Sequence, residues 1–274
     1  MKDITLGQYF PGDSVLHRMD PRAKLIALIL FVAVVFVANT AGSFLLIAAV
    51  TVILMMLSQI PFRVYLRSMK PLLFIVIFTS VINLLMVKGD EPLFTFWIIS
   101  IYKKGIINAV LVVARISLLV LGSGIFLTYT TSPISLTDGL ETLLAPLGKI
   151  HVPVHEFSMM MTIALRFIPT LVEETDKIMN AQKARGADFS SGGLLKRAKA
   201  LLPVLIPLFV SAFKRADELA VAMECRCYRG GDGRTRMKVL KYGVRDAVFF
   251  ICSAIIIAAV IAVNIYLPIY SMKI

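Results

Sequence analysis

The sequence is poor in charge. Aspartate, glutamate, lysine and arginine make up 17% of its 274 residues, where a soluble domain carries nearer a quarter. Hydrophobic residues reach 58% and mean hydropathy is +0.83. One core cannot hide that much apolar surface, which excludes an ordinary soluble enzyme, a disordered chain and a fibrous repeat. Cysteine is scarce as well. Cys225, Cys227 and Cys252 form an odd, sparse set that implies neither a disulfide framework nor an oxidising compartment. The histidines are only His17, His151 and His155. Pro153 lies between the last two, so they do not share a helix face, and Met159 stands where His155-Glu156 would need the second ligand of a zinc-protease helix. Cys225-x-Cys227 has no partner pair for zinc, and P-loops and aspartate-rich metal–phosphate motifs are missing. Gly122-Ser123-Gly124 places a serine in an apolar run, but no His or Lys in another run could act as its base. Small residues there suit close helix packing instead. Residues 1–24 contain no apolar signal-peptide region, so a cleaved leader is not expected.

What the chain does have is long apolar runs. A helix crosses about 30 Å of hydrocarbon with about 20 mostly apolar residues. Residues 24–38 are short for this but extend through Asn39 and Thr40. Ala41-Gly42 makes a turn and 43–60 returns, ending at Pro61. Residues 71–87 open with Pro71, tolerated at a helix start. The stretch 88–105, with Pro92, aromatics and charged ends, predicts an interfacial hairpin. Spans over 106–129 and 246–267 complete a set of five. With the N-terminus inside, the inner loops carry Lys2, Arg18, Arg22 and Lys24, then Arg63, Arg67 and Lys70, then seventeen basic residues from Lys149 to Arg245. The outer side holds Lys88, Lys103, Lys104 and Lys273. The positive-inside rule is satisfied, which predicts N-terminus in and C-terminus out. The net charge of +12 therefore marks cytoplasmic loops rather than a nucleic-acid site. Arg115 is the one charge deep in a span. Either it serves function directly, or it faces the bundle and bonds to carbonyls or Asn83.

Residues 131–245 form the unusual segment. The apolar run 200–213 is only about 21 Å long as a helix, is flanked by basic residues on both sides and contains Pro203 and Pro207. It predicts a kinked helix at the inner membrane surface rather than a crossing. Three helices are expected: 134–149, capped within 135–138 and closed by Pro146-Leu147-Gly148; 154–185 after Pro153; and 193–227. The last two share a layout, apolar in the N-terminal half and polar in the C-terminal half, each ending in arginine. The tips read Ala184-Arg185-Gly186 and Cys225-Arg226-Cys227. Arginine near a helix C-terminus and a following glycine are ordinary stop signals. An exposed arginine can also make bidentate bonds to carboxylates of a docked partner.

In the context of HRMDPRAKL at 17–25, RFIPTLVEE at 166–174, QKARGADF at 182–189 and FKRADELAVAMECRCY at 213–228, the chain resembles the transmembrane T component (EcfT) of energy-coupling factor (ECF) transporters. The resemblance covers essentially the whole chain. It implies that Ala184, Arg185 and Gly186, with Cys225, Arg226 and Cys227, insert into two ATP-binding cassette ATPases. In the family the second signature is often also Ala-Arg-Gly; this chain keeps the arginine and changes its neighbours. It further implies a partner S component, a small membrane protein that captures a vitamin or metal ion. The apolar halves of the last two helices would face it, with Met159, Met160 and Met161 as soft contacts and Pro203 and Pro207 either as a kink that transmits motion or as a simple bend along the membrane. The methionines equally suit packing within the chain. On this reading the protein is not an enzyme, binds no cofactor or small-molecule substrate of its own, and leaves ATP to its partners. It is an all-α integral membrane protein of the prokaryotic cell membrane, with an N-terminal membrane domain at 1–130, a coupling-helix domain at 131–245 and a C-terminal transmembrane helix at 246–274. A stand-alone secondary transporter or channel is the competing expectation. It would need ionisable groups at mid-membrane, where only Arg115, Asn83 and Asn108 are available. A membrane enzyme is the third.

Overall fold

The computed structural model describes residues 9–87, 92–96, 99–189, 193–230 and 239–266. Of the loop cations counted above, Lys2, Lys88, Arg234, Arg236, Lys238 and Lys273 lie outside them. Two compact units emerge, Gly7–Gly139 with Leu240–Ile274, and Leu140–Val239.

The first unit begins with α1 (Pro21–Val37) and α2 (Ala41–Ser58). Asp20 caps α1 by accepting the Arg22 N–H at 2.9 Å, and Pro21 takes the first position, where its missing N–H costs nothing. The expected first span thus starts three residues early, and it stops before Asn39 and Thr40. Thr40 instead caps α2 through the Ser43 N–H. With 17 residues, α1 is about 26 Å long. The stretches Ala41–Ser58, Phe62–Met86, Lys103–Tyr129 and Val244–Tyr266 are long and apolar enough to cross a membrane.

Pro71 does not open a helix. The helical stretch starts at Phe62, after Pro61, as α3 (Phe62–Met69), tightens into a 3-10 turn at Lys70–Leu72 and continues as α4 (Leu73–Met86). The tighter turn accommodates a proline that cannot donate to the preceding turn. Tyr65 explains the early start: its ring is buried, its hydroxyl lies 2.7 Å from the Ser58 Oγ, and it stacks edge-on against Tyr129. Strands β1 (Pro92–Phe96) and β2 (Ile99–Tyr102) pair antiparallel, so the expected hairpin is present.

α5 (Lys103–Ser123) runs into a π-helical segment, Gly124–Tyr129. Gly122 makes the closest approach of the described glycines. A Cβ there would sit 2.1 Å from the Phe31 ring, so only glycine lets α1 and α5 meet as they do. The Ser123 hydroxyl donates to the Val120 carbonyl. Beyond the π segment, Thr130 and Thr131 hydroxyls donate to the Ile125 and Phe126 carbonyls, satisfying groups that the wider turn leaves free. α9 (Val244–Tyr266) packs against α1 and α2. The core is mostly aliphatic and aromatic, with Phe31, Val35, Ile47, Ile125, Phe126 and Val260 all buried.

The second unit holds a 3-10 turn at Ala145–Ile150, closed by His151 in the left-handed region, then α7 (Val154–Ala184) and α8 (Leu194–Cys225). Between the units in sequence lies α6 (Pro133–Leu144). Its cap is Ser132, whose Oγ accepts the Ser135 N–H, not a residue within 135–138. α7 and α8 pack on each other, and Arg215 bridges to Glu174 at 3.6 Å. Pro169 lies inside α7, and Pro203 and Pro207 inside α8, which runs on through both.

Candidate functional site

The two arginine-bearing tips close in the same way. At the end of α7, Arg185 is the cap residue and Gly186 has φ +88°. The Gly186 N–H donates to the Lys183 carbonyl and the Ala187 N–H to the Gln182 carbonyl, both at 2.9 Å. At the end of α8, Arg226 is the cap and Cys227 has φ +58°. The Cys227 N–H donates to the Glu224 carbonyl at 2.8 Å and the Tyr228 N–H to the Met223 carbonyl at 3.0 Å. Each is a Schellman closure, with crossed bonds from the two residues after the cap to the last turn. Cys227 therefore takes the backbone conformation of Gly186, although a side chain there costs roughly 1–2 kcal/mol. The residue change at the second tip leaves the backbone closure intact.

Ala184, Arg185, Gly186, Cys225, Arg226 and Cys227 are all exposed. A Cβ on Gly186 would meet nothing within 4 Å. Among the described residues neither guanidinium has an ion-pair partner. The cap position itself projects each arginine past the last full turn, beside the helix's electronegative end. The bridging pair, Glu174 and Arg215, stands the same number of residues before each tip, about 16 Å along each helix. Such a tip can present a planar fork of donors to a carboxylate or to carbonyls in a concave partner.

The other candidate residues fall along the same two helices. Met159 is half-buried, whereas Met160 and Met161 are exposed. Pro203 and Pro207 are exposed, on a helix that also exposes Leu205, Ile206, Phe209, Val210 and Phe213. Val204 is the buried residue beside them. Among the described residues no three His, Cys, Asp or Glu side chains group to hold a metal ion.

Arg115 faces the bundle. Its Nη2 donates to the Ala38 carbonyl at 2.8 Å, Asn39 Oδ1 lies at 3.4 Å, and the Phe44 ring is 5.4 Å away. Asn83 is not its partner, since the Asn83 amide donates to the Thr79 carbonyl in its own helix. Asn39 belongs to a second polar group in which the Asn264 Oδ1 accepts from the Ser43 and Thr40 hydroxyls.

The sequence left HRMDPRAKL without a physical task, and the structure supplies one. Asp20 binds Arg22 through both carboxylate oxygens, at 3.1 and 2.8 Å. The buried Asp246 accepts the N–H groups of Asp20 and Gly243. Lys24, 2% exposed, donates to the Thr130 carbonyl at 2.8 Å, with Thr131 Oγ1 and the His17 carbonyl as longer partners. A run of charges around an Asp-Pro dipeptide, just before an apolar run, is the signal for such a knot. Its partners, more than a hundred residues away, are not visible in the local sequence.

Residues 12–239 match the family CbiQ, described as cobalt transport protein. The chain is 49% identical over 267 residues to the energy-coupling factor transporter transmembrane protein EcfT of Clostridium kluyveri, covering 97% of this chain and 98% of that one. To the EcfT of Acidaminococcus fermentans it is 54% identical over 247 residues, with 90% and 91% covered. To that of Bacillus subtilis it is 46% identical over 261 residues, with 95% and 98% covered. With a family match over residues 12–239 and relatives 46% to 54% identical over most of both chains, the chain belongs to the EcfT family of energy-coupling factor transporter transmembrane proteins.

Proposed function

We propose that the chain is the non-catalytic coupling subunit of an ATP-driven ECF importer of a vitamin or other micronutrient. Arg185 and Arg226 dock the tips of α7 and α8 into two ABC-type ATPases, which bind the ATP; the chain itself carries no cofactor. When the ATPases close, their movement passes up both helices to a separate membrane S component that holds the substrate. Exposed apolar side chains on the N-terminal halves of α7 and α8, among them Met160, Met161, Leu205 and Phe209, form the face for that component. The substrate does not touch this chain. The orientation places the tips and the N-terminus in the cytoplasm and the C-terminus outside, as the seventeen basic residues between Lys149 and Arg245 favour.

The observation that carries this reading is the pair of exposed guanidiniums, without an ion-pair partner among the described residues, on tips with one shared hydrogen-bond closure. Arg115 supports it from the other side. A conducting pathway needs several ionisable groups at mid-membrane, and this one is bonded to a helix-end carbonyl. The test is co-purification of the ATPases with the Arg185→Glu, Arg226→Glu double variant. Association is expected to be lost while membrane insertion is unchanged. Normal ATPase recovery would refute the proposal.

A further inference from the structure

An apolar cavity of about 320 Å³ lies between α1, α2 and α9 in the first unit, and none of the features described above uses it. That volume is within the range of small-molecule sites, about 300–1,000 Å³. Its walls include Phe31, Leu54, Val248, Cys252 and Ile256, and its charged member is Arg245. Along α9 it reaches from Arg245 to Ile257, about 18 Å at the helical rise. One leaflet of hydrocarbon is about 15 Å thick. The cavity is thus as deep as a single acyl chain in one leaflet, with a cation at the end where α9 begins.

Arg245 is exposed and has no ion-pair partner among the described residues. The carboxylate next to it, Asp246, is turned inward, with its oxygens occupied by the N–H groups of Asp20 and Gly243. Arg18, close by in sequence to the cavity-lining Leu16 and Met19, is paired with Asp13. Arg245 also stands in the first turn of α9, where the helix dipole favours an anion. Guanidinium binds phosphate bidentately. We propose that this cavity is a phospholipid site, holding one acyl chain between α1, α2 and α9 with the headgroup phosphate on Arg245. The lipid completes the bundle where the three helices do not fill the space between them. The proposal is independent of the docking function of the tips.

Native mass spectrometry of the full chain, released from nanodiscs of phosphatidylglycerol and phosphatidylcholine, tests it. One phospholipid should stay bound per chain at energies that strip the rest. Arg245→Gln should weaken retention about tenfold or more, as expected for loss of a charged hydrogen bond. Val248→Trp, at an exposed wall residue, should abolish it by filling the cavity. Cys252 gives a second readout. With Cys225 and Cys227 replaced by serine, a bimane on Cys252 should be quenched saturably by phosphatidylglycerol brominated on its acyl chains. Retention that is equal in the wild type and both variants overturns the proposal. So does a cavity that keeps only detergent, or quenching that rises without saturation.

Discussion

Cys227 occupies a backbone conformation that glycine holds at the companion tip, so the two helix ends can be compared atom by atom. If the closure is what aims Arg226, Cys227→Gly should keep or raise ATPase recovery, since it removes a left-handed strain of roughly 1–2 kcal/mol. Cys227→Val, branched at Cβ, should lower recovery several-fold, and hydrogen exchange at the Tyr228 amide should rise with it. Equal recovery for glycine and valine would detach the arginine's task from its cap. Buried Asp246 makes a different case. It accepts two backbone N–H groups, and Asp246→Ala strands the buried one, on Asp20, at a cost of about 1–3 kcal/mol, while the N–H of exposed Gly243 can turn to water. A clear drop in melting temperature in detergent is expected, without a matching loss of the tips' chemistry. The two helix ends at Arg185 and Arg226 were legible in the sequence because a helix stop has a recognisable residue grammar. Asp246 was not, because its ligands are set by tertiary contact.

Among the elements, α1 and α5 show what one missing side chain permits. Gly122→Ala brings a methyl into the Phe31 ring and should destabilise the bundle by about 1–3 kcal/mol. Phe31→Leu in the same chain should recover part of that loss, measured as apparent melting temperature. An additive double variant would show that the ring is not the obstacle. α7 and α8 were readable almost to the residue, because Pro153 starts one helix and glycine-like caps end both. The start of α3 was not. Pro71 looks like a helix opening, yet the burial of Tyr65 against Ser58 and Tyr129 favours a helix begun more than two turns earlier, at Phe62, and tightened around the proline. Hydropathy reports where lipid is tolerated, not where a tyrosine anchors a turn. The Glu174–Arg215 bridge is partly exposed on both sides, and such pairs are worth at most about 1 kcal/mol. It steadies the register of α7 and α8 more than it stabilises them.

For the molecule as a whole, the coupling proposal makes a labelling prediction. Cys225, Cys227 and Cys252 are free and exposed. In the assembled transporter a maleimide should leave Cys225 and Cys227 unmodified, and dissociating the ATPases should restore their labelling at least tenfold, as expected when about 1.4 kcal/mol or more of protection is removed. Cys227 labelled at full rate in an intact complex would contradict a docked second tip. Membrane class and the positions of the long apolar runs were plain from composition, because solvent partition acts on single residues. The knot around Lys24 was hidden, since its partners are scattered along the chain. That scattering has a consequence for biogenesis. When α1 leaves the ribosome it carries Asp20, Arg22 and Lys24, but the Thr130 carbonyl that receives the ammonium arrives more than a hundred residues later, and Asp246 more than two hundred. The opening helix must wait at the translocon or the interface, half-solvated, until the final helix is made. The contacts of a helix made early are therefore completed only when α9 is made, and a chain released before α9 should expose its N-terminal charges to quality-control proteases.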